Sequence, residues 1–162
     1  MRHILRRREL IADDWHYLGE EAGEADPLIV PLAQLSRELP QWQRRAGPLG
    51  VRLAPADAVA ELAPLLPRLA LIAVEFPNPG DGRGYSQARL VRERLGFRGE
   101  LRAFGSGVRQ DQAFLLARSG FDSLEPPPGV DLEAVRRALT RYDVAYQPGA
   151  AQVELRRQRF FP

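Results

Sequence analysis

The residues best suited to bind an anion lie in a glycine-rich stretch, residues 76–86. Its three alternate glycines let the backbone turn tightly and expose its amide groups. The sequence predicts a helix with Ser86 as its N-cap. The first turn of this helix would add unpaired N–H groups and the positive end of a dipole. A tight βα turn with a purely structural role is the alternative interpretation. The candidate residues for binding an anion or a partner are Gly82, Arg83, Gly84, Tyr85, Ser86 and Arg89.

A second candidate loop, residues 105–112, follows the predicted strand that carries Arg102. Because the carboxyl ends of parallel strands share one edge of a sheet, we expect this loop beside the glycine-rich one. Asp111 could pair with Arg83 or Arg109, cap the next helix, or act as an acid–base group; pairing or capping is the favoured interpretation. The candidate residues of this loop are Arg109, Asp111 and Gln112.

Three charged residues, Arg52, Glu75 and Arg102, fall within or at the end of predicted strands. An unpaired charge buried in a sheet costs several kcal/mol, so these side chains should be paired or lie at the strand ends. One interpretation is a structural salt-bridge cluster or an exposed edge. The other is the polar floor of a crevice at the end of the sheet where α/β proteins bind ligands.

The inventory of catalytic side chains is small. There is no cysteine, and both histidines, His3 and His16, lie near the start of the chain. Asp13 and Asp14 form the densest acidic spot, which we interpret as a solvated turn rather than a metal site. The sequence therefore assigns no catalytic residue, no metal ligand and no cofactor. Acid–base candidates remain, but they suit binding better than demanding chemistry: Glu75, Asp81, Tyr85 and Asp111.

Length and charge indicate one balanced domain. The chain has 162 residues, with 23 basic and 21 acidic side chains. The net charge of +2 lies in the last residues, where Arg156, Arg157 and Arg159 face only one acid. A balanced body makes nucleic-acid binding an unfavoured function. The longest apolar run, residues 69–74, is far too short for a membrane span. Without a signal sequence at the start, we expect a cytoplasmic protein.

The order of elements predicts an α/β fold with a mostly parallel sheet of about four βα units. A small hairpin is expected within residues 1–27, and a lead-in strand and a helix split at Pro40 within 28–48. Asp131 should cap the last helix. The domain should span 1–149 and a weakly ordered basic tail 150–162. An open or partly curled sheet is the favoured arrangement, and a half-barrel that could dimerise is the alternative. Strands are predicted at 49–53, 69–76, 100–104 and 121–124, and helices at 56–66, 86–95, 109–118 and 132–142.

The sequence resembles an uncharacterised bacterial family whose members are encoded beside sulfite reductase and are often labelled oxidoreductases of sulfite reduction. The GDGRGYSQAR run at 80–89 carries the resemblance most specifically. The resemblance implies an acidic residue just before Val108, where this chain has Gly107. Further matching residues lie at 4, 14–15, 55–57, 74–77, 90, 95–103, 111–112, 120–122 and 146–147.

The resemblance implies a pathway and little mechanism. We therefore expect an accessory protein of assimilatory sulfite reduction that binds sulfite reductase or a sulfur oxyanion. The alternative is a small oxidoreductase of the same pathway with a nucleotide-type cofactor, although the glycine stretch has Tyr85 where a dinucleotide-binding fingerprint needs glycine.

Overall fold

The computed structural model describes residues 1–140. Eight strands form one sheet in the order β2-β1-β8-β7-β6-β5-β4-β3. The strands from β3 to β8 are parallel, and β1 is antiparallel to both β2 and β8. The strands are β1 His3–Arg6, β2 Glu9–Ala12, β3 His16–Tyr17, β4 Leu28–Pro31, β5 Leu49–Leu53, β6 Leu69–Glu75, β7 Glu100–Phe104 and β8 Ser123–Glu125.

Helices cover one face of the sheet. Because β4 to β8 are adjacent in chain order, the crossovers all run in one direction and place their connections on the same face. Apolar side chains from this face and from the helices form the main buried core, for example Val51, Ile72, Leu101 and Leu116. The helices are α1 Leu32–Arg37, α2 Leu39–Gln43, α3 Arg83–Arg89, α4 Ala113–Arg118 and α5 Leu132–Thr140; α3 continues into a π-helical turn, Leu90–Arg94.

The sheet is strongly curled. Its two edge strands, β2 and β3, are consecutive in the chain and are joined by residues 13–15 alone. Four residue steps span at most about 14 Å, whereas the edges of a flat eight-stranded sheet would lie about 34 Å apart. Tyr17 on β3 also contacts Phe104 on β7, with ring centroids 5.6 Å apart. The bare face of the sheet is therefore concave and largely enclosed.

The structure confirms most of the predicted strands. The strand at 49–53 is found as expected, and those predicted at 69–76 and 100–104 agree to within one residue. The predicted hairpin is the β1–β2 pair, and Asp131 caps α5 by accepting the N–H groups of Glu133 and Ala134. The strand expected at 121–124 lies at Ser123–Glu125. The tail predicted at 150–162, and the end of the last helix beyond residue 140, fall outside the described residues.

The predicted helices are less accurate. No α-helix forms over 56–66, because Pro64 interrupts the pattern. A short 3-10 turn, Val59–Leu62, lies within this range, and a second one, Leu66–Arg68, begins at its end. Helix α3 begins one turn before Ser86, so Ser86 is not its N-cap. Helix α4 begins at Ala113 rather than at residue 109.

None of the helices within residues 1–140 has the length and apolar character to cross a membrane.

Candidate functional site

The concave face carries a buried ionic cluster centred on Arg102, which is fully buried. Its guanidinium donates both Nη groups to Asp13, at 2.8 and 2.9 Å. It also pairs with Glu100 at 3.1 Å and with Glu125 at 3.3 Å. The period-two pattern of β7 and β8 aims these glutamates, together with Arg102 and Ser123, at the interior. Three carboxylates thus surround one guanidinium in the curl of the sheet.

Other polar groups complete this cluster. Arg2 donates its Nε to Asp13 at 2.8 Å, and Ser123 donates its hydroxyl to Glu100 at 2.6 Å. Tyr17 donates its hydroxyl to Glu125 at 2.7 Å, which joins the edge strand β3 to β8 across the concave face. Burial, and then the charge of Glu125, raise the pKa of Tyr17, so Tyr17 stays a neutral donor. The cluster therefore links the edge strand β3 and the residues just after β2 to β7 and β8, which stabilises the curl of the sheet.

Asp13 is the key carboxylate of the cluster, and its side chain is only 1% exposed. Burial alone would raise the pKa of Asp13, but the hydrogen bonds and charges of Arg102 and Arg2 bring it below its usual value. The sequence interpretation of Asp13 as part of a solvated turn is therefore wrong. Asp14, its neighbour, is exposed.

The lowered pKa of Asp13 predicts acid sensitivity. Ionised Asp13 stabilises the fold above its unfolded-state pKa of about 4. As the pH falls below that value toward the lower folded pKa, this stabilisation is lost. Between pH 6 and pH 3, urea unfolding should show that Asp13→Asn loses less stability than the wild type does. At pH 6 this variant is already less stable than the wild type. Asp14→Asn makes the same change at the exposed neighbouring position, so it is the matched control and should lose as much stability over this pH range as the wild type. Equal pH dependence of all three proteins would contradict this role of Asp13.

Arg52 and Glu75 lie at the carboxyl end of the same concave face. They form an ion pair of 3.6 Å, and the guanidinium of Arg52 lies 5.4 Å from the centroid of the Phe104 ring. The side chain of Arg52 is 41% exposed, so this pair faces solvent. Two of the three predicted strand charges are thus paired at the rim. Arg102 is buried deeper, in the separate cluster around Asp13.

Three consecutive βα loops meet at this carboxyl end, which we call the carboxyl rim: residues 54–57, 76–82 and 105–112. Gln87 on α3 donates its amide to the carbonyls of Ala54 and Asp57, at 2.9 and 3.2 Å. Tyr85 donates its hydroxyl to Gln112 at 2.8 Å. Helix α3 therefore joins both neighbouring loops, and the two predicted loops lie side by side as expected.

The glycine-rich loop satisfies much of its own charge. Asp81 accepts the N–H of Arg83 at 3.1 Å and pairs with the guanidinium of Arg83 at 2.6 Å. These hydrogen bonds from Arg83 lower the pKa of Asp81 to about 2. Gly84 is buried against the Phe76 ring, where a Cβ would lie 2.5 Å from Cζ, so this glycine permits packing. Arg89 pairs with Glu93, and Ser86 is exposed. The loop presents balanced pairs rather than a positive cradle.

The second loop packs against the first through its backbone. Gly107 donates its N–H to the carbonyl of Phe76 at 2.8 Å, and a Cβ at Gly107 would lie 2.7 Å from the carbonyl oxygen of Asn78. The acidic residue that the resemblance implies at this position would not fit this packing. Arg109 is exposed and donates to the carbonyl of Ser106, while Gln112 donates to Asp111. Within residues 1–140, Arg109 forms no ion pair, so Asp111 does not neutralise it.

Removing the Tyr85 hydroxyl tests the link between the two loops. Tyr85→Phe keeps the ring against Phe76, at 5.0 Å between centroids, but loses the hydrogen bond to Gln112. We expect the free energy of unfolding to fall by about 1 kcal/mol. Urea unfolding of Tyr85→Phe, Gln112→Ala and the double variant measures the coupling. Fully additive losses would show that the bond does not hold the loops together.

Sequence reasoning missed the residues that surround Arg102. Glu100 and Glu125 could have been found, because each lies two residues from another polar residue of its strand and so on the same face as Arg102 and Ser123 respectively. Arg2, Asp13 and Tyr17 carry no such local signal, because only the curl of the sheet brings them to Arg102.

The fold and rim define an α/β protein with a curled, mostly parallel sheet, a buried ionic interior and a preorganised rim of loops. The family described as "Bacterial protein of unknown function (DUF934)" matches residues 50–155. The chain belongs to this family, which confirms the expected membership of an uncharacterised bacterial family. A comparison with curated proteins gave no match.

Proposed function

We propose that this protein is an accessory, partner-binding protein of assimilatory sulfite reduction, and that its carboxyl rim docks on sulfite reductase. The pathway comes from the family resemblance of the sequence. The choice of a protein partner over a free sulfur oxyanion comes from the chemistry of the rim.

Preorganisation of the rim is the observation that carries the proposal. Gln87 fixes the 54–57 loop, Tyr85 fixes the 105–112 loop, and the Gly107 N–H joins that loop to Phe76. Loops that are already ordered lose little conformational entropy on binding, which favours affinity for a macromolecular surface.

The charge pattern of the rim also favours a protein partner. Arg52 pairs with Glu75, and Arg83 pairs with Asp81. A small oxyanion would have to compete with these carboxylates for each guanidinium. A protein surface can instead place its own acidic and basic groups opposite each member of the pairs, which gives specificity and orientation. Arg109, exposed and without a charged partner within residues 1–140, is the rim cation most available to an acidic group on the partner.

Affinity measurements with purified sulfite reductase from the same bacterium test the proposal. We expect the wild type to bind and Arg83→Ala/Arg109→Ala to bind about tenfold more weakly, a loss of roughly 1.4 kcal/mol. Arg37→Ala/Arg44→Ala is the control. It removes the same charge from exposed positions at the ends of α1 and α2, outside the three rim loops, and should bind like the wild type.

The outcomes separate the competing functions. Absence of binding to the reductase at 50 µM, or equal weakening by both double variants, would overturn the proposal. A thermal shift with millimolar sulfite or sulfate, lost in Arg83→Ala/Arg109→Ala, would point to the free oxyanion instead. A thermal shift with a flavin or a nicotinamide nucleotide would favour the small oxidoreductase.

A further inference from the structure

The turn of the β1–β2 hairpin has an unusual sequence for its conformation. Arg6 pairs with Glu9, so the turn consists of Arg7 and Arg8 alone. Both have positive φ, 50° and 72°, and they are the only residues other than glycine with positive φ within the described part of the chain. A two-residue turn with both central residues in this region prefers Asn-Gly, because a side chain at positive φ is strained.

Among residues 1–140, the two turn arginines have no charged partner. Both are exposed, and neither forms an ion pair within residues 1–140. Arg6 differs, because its Nε lies 3.4 Å from Glu100. The backbone N–H of Arg7 donates to the carbonyl of Asp122, which brings this acidic residue close to the turn. The Asp122 carboxylate, however, accepts a hydrogen bond from Arg92. The hairpin tip therefore presents two guanidinium groups to solvent, with Glu9 as the flanking acid.

We propose that the Arg7–Arg8 turn is a docking point for an acidic protein surface. A better turn sequence would relieve the strain at Arg7 and Arg8, and neither residue forms an ion pair within residues 1–140. Strain kept at such residues indicates that the arginines serve an external contact. Leu10, 47% exposed on the same hairpin, adds an apolar contact of the kind found at the centre of protein interfaces.

The charge of the whole chain favours a protein over a nucleic acid as the occupant. Two exposed arginines on a two-residue turn match a local cluster of carboxylates. Nucleic acids are bound by extended basic faces, whereas this chain is nearly balanced, with 23 basic and 21 acidic residues.

This docking point is separate from the carboxyl rim. Arg6 pairs with Ser123, the first residue of β8, so the turn projects from the amino-terminal end of the parallel strands. Arg52 and the rim loops lie at the opposite end. The inference consequently does not depend on the proposed function, and variants of the turn leave the rim unchanged.

A turn replacement separates the binding role of the arginines from their effect on stability. Arg7→Asn/Arg8→Gly installs the preferred turn sequence, and Arg37→Gln/Arg44→Gln is the control with the same change in charge. The probe is octaglutamate, titrated at low salt into the full-length, isotopically labelled protein and followed by NMR. Octathymidylate, which carries a similar charge, is the comparison.

We expect octaglutamate to shift the resonances of Arg7–Leu10 in the wild type. In Arg7→Asn/Arg8→Gly, the dissociation constant should rise at least threefold while Tm rises by about 3 °C. The control should keep its affinity and show no gain in Tm. Unshifted hairpin resonances, an equal loss of affinity in the control, or an unchanged or lower Tm of the turn variant would each overturn the inference. Tighter binding of octathymidylate would assign the turn to nucleic acid and also overturn it.

Discussion

Arg102→Met is expected to lower the free energy of unfolding by about 3–5 kcal/mol, the usual loss when one member of a buried ion pair is removed. Arg102 is fully buried and is the common partner of Asp13, Glu100 and Glu125. Methionine fills much of the same volume, so the loss comes from the carboxylates left without their cation. Urea unfolding followed by circular dichroism measures it.

Two further variants show that the loss at Arg102 is electrostatic. Arg102→Met/Asp13→Asn removes one of the stranded carboxylates and should recover part of the stability. Arg83→Met removes an exposed arginine from its pair with Asp81 and should leave the unfolding midpoint nearly unchanged. If Arg102→Met were as stable as the wild type, a central role for this ion cluster would be contradicted. The same follows if the double variant loses more free energy of unfolding than the sum of the two single losses.

Gly105→Ala is expected to have the second largest effect. Gly105 has a φ of 107°, and a Cβ there would lie 2.6 Å from the backbone oxygen of Phe76. The backbone strain alone costs about 1–3 kcal/mol. The clash adds to that cost, because Phe76 is held by its own N–H bond to the Phe104 carbonyl and cannot easily move away.

Gly82→Ala is the matched control for Gly105→Ala. Gly82 lies on the adjoining loop with a φ of −86°, and nothing lies within 4 Å of a Cβ at that position. Thermal unfolding should show a clear fall in Tm for Gly105→Ala and almost none for Gly82→Ala. Equal Tm values would show that the two loops are not packed as described.

The strands were predictable because a buried strand is apolar along its own length, so its signal lies within a few consecutive residues. The run from Leu69 to Val74 is apolar at every position. All but Ala70 are buried, since the helices cover one side of this strand and the curled interior covers the other. The Arg52–Glu75 pair was also predictable from the sequence, because charged residues near the ends of neighbouring parallel strands meet at one edge of the sheet.

The ionic interior was less predictable because it depends on contacts distant in sequence. Asp13 and Arg102 are separated by 89 positions, and they meet only because the sheet curls. The acidic pair Asp13-Asp14 looks like a solvated turn, yet its first member is buried and its second exposed. The positions of prolines, rather than helical periodicity, decide that 56–66 forms 3-10 turns.

Hydrogen exchange of the full-length protein, with and without saturating sulfite reductase, tests the central claim most directly. If the carboxyl rim is the docking surface, residues 78–86 and 105–112 should both become protected, while residues 32–43 exchange as in the free protein. Unchanged exchange at both of these segments, or protection confined to a different part of the molecule, would contradict the assignment of this rim to the reductase.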